Sequence, residues 1–229
     1  MAKQLLLNIK LDDQARFENF YATENALAFH TLKRFSNMSE NFLYLWGNNG
    51  VGKTHLLQAC CHAYQRQHQP MIYIPLKYHT KFSPNILKGL EQTDLICLDD
   101  IDTVSTDKTW AESLFHCYNT LQQCGKKLII SAVQPPKHLS CVLADLKSRY
   151  MQGLTLTLSE LTDIEKMQVV KMRVKNRGLV IHDDALAFLM NHYPRNLKTL
   201  FHALNRLEEA SLIQQRRITI PFIKKWLKL

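Results

Sequence analysis

GNNGVGKT, Gly47 to Thr54, follows the apolar run FLYLW (Phe42 to Trp46) and precedes a segment of helical period, the strand, glycine turn and helix that a phosphate-binding loop requires. The glycines let the backbone fold around phosphates so that amide hydrogens point inward, with the positive end of a helix dipole behind them. Gly47, Asn48, Asn49, Gly50, Val51, Gly52, Lys53 and Thr54, with His55 after them, are the candidate nucleotide contacts. Lys53 is expected to reach the β- and γ-phosphates and Thr54 to ligate Mg²⁺. A chance glycine-rich turn is the alternative.

LICLDD (Leu95 to Asp100) fits beside it, with Asp99 and Asp100 at the carboxyl end of a buried strand. A carboxylate there holds the water shell of a metal, and its neighbour orients an attacking water. A loop or a helix cap is the plainer reading of the pair.

Outward from these two motifs, MIYIP (Met71 to Pro75), KLIIS (Lys127 to Ser131) and LTLTL (Leu154 to Leu158) read as further strands buried on both faces. Helical periodicity over Thr54 to Gln69 and Trp110 to Cys124 lies between them, which predicts an α/β fold with a five-stranded parallel sheet. Strand signals stop after Leu158. Thr162 and Glu165 form a capping box, Gly178 stops that helix, and helices follow over about Asp183 to His192, along the stripe Leu197, Leu200, Phe201, Leu204 and Leu207, and after Pro221. A small all-helical domain is therefore expected after the core. The predicted organisation is 1–14 as an N-terminal peptide, 15–160 as the α/β core and 161–229 as the helical lid.

The 229 residues are 46% hydrophobic, ample for a core, and show no internal repeat. The net charge is +9, of which +7 falls from Thr162 onward, thirteen Lys and Arg against six Asp and Glu. That skew suits an acidic partner, DNA or an acidic protein face, and equally a well-solvated surface. Cys60, Cys61, Cys97, Cys117, Cys124 and Cys141 fall in apparent strands and helices without a CxxC pair or secretory signal, so reduced, mostly packed thiols and a cytoplasmic location are expected. There is neither a signal peptide nor a run of roughly 20 apolar residues that would span a membrane.

QLLLNI (Gln4, Leu5, Leu6, Leu7, Asn8, Ile9) places four aliphatic residues in six near the start of the chain. Either it is a first strand of the core, or it is a linear motif that another protein reads. As an extended peptide it offers Leu5, Leu7 and Ile9 to a pocket at strand spacing, with Gln4 to hydrogen-bond a groove edge.

FENF (Phe17 to Phe20), LYLWGNNGVGKTHLLQA, DLICLDDID, LKSRYMQGLTLTL and FHALNRLEEASL with RRITIPFIKKWLKL occur in an order and spacing that closely resemble the AAA+ domain of the bacterial replication initiator DnaA. The resemblance covers about Ala15 to Leu229. It implies ADP or ATP with Mg²⁺ between core and lid, Thr54 and Asp99 at the metal, and Asp100 at the nucleotide. It also implies that Arg149 of LKSR is an arginine finger reaching a neighbouring subunit's ATP, and that Lys198 stands where the family has a phosphate-sensing lid arginine. Val133 stands where the family has a polar Asp. DnaA continues into a helix-turn-helix domain whereas this chain ends at Leu229, so the resemblance narrows to the DnaA-related regulators that inactivate DnaA after replication has started. For those it implies that Gln4 to Ile9 bind the DNA polymerase III sliding clamp, although Asn8 and Ile9 depart from a Pro-Leu ending. The implied partners are DnaA, the clamp, DNA indirectly through the clamp and, in an oligomer, a second copy, with no membrane. Hydrolysis at the chain's own site is expected to be weak at most. The rival readings are a helicase loader or other DNA-handling AAA+ ATPase, and a small-molecule P-loop kinase.

Overall fold

The computed structural model describes residues 10–228, and the peptide Gln4 to Ile9 lies outside them. The chain divides into two compact units, one ending at Ser159 and the next beginning at Glu160.

The first unit is built on β1 (Phe42–Trp46), β2 (Met71–Pro75), β3 (Leu95–Asp99), β4 (Lys127–Ala132) and β5 (Leu154–Thr157), all parallel in the order β2-β3-β4-β1-β5. Four helices accompany them: α1 (Ala26–Arg34), α2 (Lys53–Arg66), α3 (Lys108–Gln123) and α4 (Ala144–Gln152). The two-residue period of a strand sorts the apolar runs into two layers. Phe42, Tyr44, Ile96, Leu98, Leu128 and Ile130 face Trp110, Leu114, Tyr118 and Leu121 of α3 and Leu146 and Tyr150 of α4. Leu43, Leu45, Leu95, Cys97 and Ile129 face Leu32 of α1 and Leu56, Leu57, Cys60 and Cys61 of α2. Each fully buried aliphatic side chain contributes about 1.5–3 kcal/mol relative to exposure. A slip by one residue would exchange the two layers, so the pairing Leu43 with Ile129 and Leu154 is strongly specified.

The strands fall where the apolar runs predict, with β4 one residue longer and β5 one residue shorter. Helices α1 and α4 were not among the segments expected to be helical. Between β2 and β3 the chain takes three short 3₁₀ segments, Leu76–Lys81, Pro84–Leu87 and Leu90–Gln92. The expectation that all six cysteines lie in strands and helices is corrected at two: Cys124 caps α3 and is exposed, and Cys141 lies half-buried in a loop. None of the six is in a disulfide.

The second unit is helical: α5 (Asp163–Asn176), α6 (Asp183–His192), α7 (Leu197–Gln214) and α8 (Ile220–Leu227). The capping box is formed, with Glu165 N–H donating to Thr162 Oγ1 at 3.3 Å and Thr162 N–H donating to Glu165 Oε2 at 2.8 Å. Such caps satisfy donors that a helix start leaves unpaired and are worth about 1 kcal/mol. Asn196 caps α7 through Lys198 N–H and Thr199 N–H. Val170, Leu189, Leu200, Leu204, Leu207 and Ile223 make this unit's own core. No described helix is long and apolar enough to cross a membrane.

Candidate nucleotide site

The glycine loop leaves the carboxyl end of β1 and turns directly into α2, whose first residue is Lys53. Gly52 has φ +107°, and a Cβ there would lie 2.8 Å from the ring of Phe20. No other residue type meets both conditions without strain. Lys53 is 6% exposed, and its ammonium donates to the carbonyls of Gly47 at 2.6 Å and Asn48 at 3.0 Å. The cation is thus held inside the loop whose amides and helix dipole favour anions. Burial lowers its pKa, against the opposing pull of Asp100, Asp99 and Asp102.

Asp99 at the end of β3 is fully buried. Its Oδ2 accepts from Thr54 Oγ1 at 2.6 Å and from the Tyr73 hydroxyl at 2.7 Å, and its Oδ1 accepts from Ser131 Oγ. Three hydroxyls from α2, β2 and β4 therefore converge on one carboxylate. Asp100 follows in a left-handed conformation, φ 61° and ψ 52°. Its N–H donates to Ser131 Oγ at 3.0 Å, which links the two acidic residues through one serine. Burial, then the charges of Asp99 and Asp102, push the Asp100 carboxyl up to about 6 against the pull of Lys77 and Lys53. Tyr73 and Ser131 were not picked out from sequence; the signal was a hydroxyl residue inside each of two apolar runs, MIYIP and KLIIS.

The hydroxyl of Thr54 and the carboxylate of Asp99 are hard oxygen donors of the kind that suits Mg²⁺, which keeps most of its waters and needs few protein ligands. Among the described residues no group of three or more His, Cys, Asp or Glu makes an all-protein metal cage, and this donor set does not require one.

His55 turns toward the N-terminal segment: its Nε2 lies 2.8 Å from the Arg16 carbonyl and its ring 5.5 Å from that of Phe20. Val133 contributes its backbone, the N–H donating to Asp102 Oδ1 at 2.6 Å. Arg149 lies in the last turn of α4 and donates to Gln152 Oε1 at 3.4 Å. That turn runs through Gly153 into Leu154, which pairs with Leu43 near the start of β1, whereas the glycine loop leaves after Trp46. Arg149 and the loop therefore stand at opposite ends of β1, separated along the sheet by roughly 10 Å at about 3.3 Å per residue. They also stand on opposite faces, since α4 packs with α3 and α2 packs in the other layer. Lys198 lies in the first turn of α7, in the second unit.

Residues 11–157 match the family model of the bacterial DnaA ATPase domain, and residues 163–227 match that of the Hda lid domain. The chain belongs to the bacterial DnaA ATPase-domain family. Its lid is of the Hda type, which makes it a DnaA-related AAA+ protein. An uncharacterized protein of Haemophilus influenzae is 41% identical to it over the whole of both chains. Domain III of the replication initiation protein DnaA from Thermotoga maritima shares the fold with a TM-score of 0.81 at 22% identity, over 96% of this chain and 98% of that one. AMPPCP-bound DnaA from Aquifex aeolicus matches with a TM-score of 0.70 at 25% identity, over 86% of this chain and 66% of that one.

As a DnaA-family domain, the chain carries the glycine loop and the paired carboxylates of its first unit in mutual contact. Val133 directly follows β4, and Lys198 stands at the start of α7.

Proposed function

We propose that this chain is a nucleotide-bound negative regulator of replication initiation that acts on DnaA. The glycine loop holds ADP, with its amides and Lys53 facing the phosphates. Mg²⁺, when bound, neutralises phosphate charge, with Thr54 as a ligand and Asp99 holding the water shell. AMPPCP on the related Aquifex DnaA supports a nucleotide at this loop. Gln4 to Ile9 dock the chain on the DNA-loaded sliding clamp. Arg149 then meets the ATP of DnaA, stabilises charge on the transferring phosphoryl group and leaves the inactive ADP form.

The observation that carries this reading is the separation of Arg149 from its own phosphate loop by the length of β1 and the thickness of the sheet. A guanidinium there is suited to a neighbouring molecule's nucleotide. The Hda-type lid supports the same reading. The test is to mix the chain with DnaA carrying labelled ATP and with DNA-loaded clamp, and to measure hydrolysis. Stimulation that needs both the chain and the clamp is expected; none at any chain concentration would sink the reading. The second reading, an ATPase working at its own loop, rests on the Asp99 and Asp100 pair, and steady turnover by the isolated chain would favour it.

A further inference from the structure

Most acids of the second unit are engaged with particular partners. Asp163 pairs with Arg195 and Lys166, Asp183 with Lys171 and Glu208 with Arg177, while Glu165 closes the capping box. Arg206, Arg216, Arg217, Lys224, Lys225 and Lys228 are exposed, and among the described residues none of them is in an ion pair. All six lie on α7, on α8 or beside them in the chain. The turn between the two helices brings α8 back along α7, so that Arg206 Nη2 donates to the Trp226 carbonyl at 3.4 Å. Arg206, Lys225 and Lys228 therefore gather at one end of this helical hairpin, and Arg216 and Arg217 stand at the other. From residue 206 to residue 214 the hairpin is about 12 Å long, at about 1.5 Å per residue. Glu209, one turn beyond Arg206, is an exposed acid among them.

Helix dipoles explain part of this. Lys224 and Lys225 sit in the last turn of α8, where a cation is worth about 0.3–1 kcal/mol. That accounts for one or two of the charges, whereas six gathered with so little acid repel one another, a cost that a polyanion removes. The apolar side of α8 is already used, with Phe222, Ile223 and Leu227 buried in the core of the unit. It is not free to enter a lipid surface, although Leu212 and Ile213 are exposed on α7. The rings nearby are covered, which disfavours stacked single-strand bases: Phe222 is buried, Trp226 is half-buried, and Phe188 lies under His192 at 4.1 Å and the Lys224 ammonium at 5.3 Å. Protein interfaces are depleted in lysine, whereas lysine and arginine on a phosphate backbone gain by releasing its counterions.

We propose that the hairpin of α7 and α8 is a docking surface for the phosphate backbone of duplex DNA, held without regard to sequence. Over about 12 Å a duplex carries roughly seven charges, at one per ~1.7 Å, and the half that faces the protein, about three or four, is within reach of six cations on long side chains. Neither nucleotide nor clamp is needed for this contact, so it goes beyond DNA met only through the clamp. Affinity should be on the order of 10⁻⁴ to 10⁻⁶ M at physiological salt, the range of sequence-independent binding.

Fluorescence anisotropy of the full chain with a short labelled duplex, titrated at several salt concentrations, tests this. With about three or four phosphates neutralised at a slope of about −0.9 each, a fourfold rise in salt should weaken binding roughly 40- to 150-fold. Lys225→Gln and Lys228→Gln should each lower the slope by about 1, equally on duplexes of unrelated sequence. Lys108→Gln, on the exposed start of α3, removes the same charge and should leave the slope unchanged. Glu209→Gln should instead tighten binding, a gain that misfolding cannot produce. Absence of duplex binding would overturn the proposal, as would an effect of Lys108→Gln as large as that of Lys225→Gln. So would a preference for polyglutamate, for phosphatidylglycerol vesicles or for single-stranded DNA over the duplex, since these would put an acidic protein, a membrane or unstacked bases in its place.

Discussion

Thr54 Oγ1 donates to Asp99 Oδ2 across 2.6 Å, tying the start of the helix behind the glycine loop to the end of the third strand, 45 residues away. This contact places the hydroxyl and the carboxylate of the proposed magnesium site in one frame, and the carboxylate is held further by the hydroxyls of Tyr73 and Ser131. The consequences can be measured.

Lys53→Ala removes a buried ammonium that bonds two loop carbonyls at 2.6 and 3.0 Å. Loss of a charged hydrogen-bonding partner for phosphate should weaken ADP by at least about 1.5–3 kcal/mol, or roughly ten- to hundredfold. Calorimetry with ADP reads this directly, and an unchanged affinity would remove the loop from the site.

Arg149→Ala should leave folding and ADP affinity intact, because the side chain is half-exposed and stands at the far end of β1 from the loop. Stimulated hydrolysis on DnaA should fall by a factor on the order of 10³, the lower range for a finger supplied in trans. Arg149→Lys should recover little of it, since a point charge on a flexible stem lacks the planar fork. Single-turnover hydrolysis of labelled ATP on DnaA distinguishes the three proteins.

Replacing Leu5 and Leu7 by Ala should remove binding to the sliding clamp, as two apolar anchors at about 1.5–3 kcal/mol each exceed what a short peptide can lose. Surface plasmon resonance on immobilised clamp reads the loss, with thermal melting alongside. A melting temperature that falls as steeply as binding would assign the peptide to the core instead.

Gly153→Ala tests the junction between α4 and β5. Its backbone, φ −84°, suits any residue, but a Cβ would overlap the ring of Phe42, which is packed against Tyr118 and Tyr150. Overpacking of this kind costs about 1–3 kcal/mol, or roughly 2–4 °C in Tm per kcal/mol for a chain of this size. Phe42→Leu in the same chain should offset part of the loss, and a double-mutant cycle measures how much. Purely additive effects would show that the ring is not the obstacle.

Asp100→Asn should stabilise the protein lacking nucleotide and magnesium at neutral pH. A carboxyl raised from its ordinary 3.8 to about 6 ionises first in the unfolded chain, so stability falls as pH rises through that interval and stays lower above it. Asparagine tolerates the left-handed backbone as well as aspartate does. Melting should therefore show a gain of a few degrees at pH 7.5 and none near pH 3.5. An equal gain at both values would rule out the charge as its origin.

Much of this was legible in the sequence because it depends on neighbours in the chain. Strand period, glycine placement, the Thr162 to Glu165 box and the order of strand and helix are set within a few residues, and from them came the α/β sheet, the lid and the glycine loop with Lys53 and Thr54. Helices α1 and α4 carry apolar stripes of their own, but at nine residues each they are too short to stand out and are marginal without the sheet to pack on. Ser131, Tyr73 and Gln58 look ordinary where they stand. They matter because parallel strands bring to one carboxylate hydroxyls that lie 26, 32 and 45 residues from it, and because Gln58 of α2 accepts from the Asp12 N–H, 46 residues upstream. Which buried polar groups satisfy one another is decided only when the chain has closed on itself, since the cost of leaving any of them unpaired arises only once water is gone.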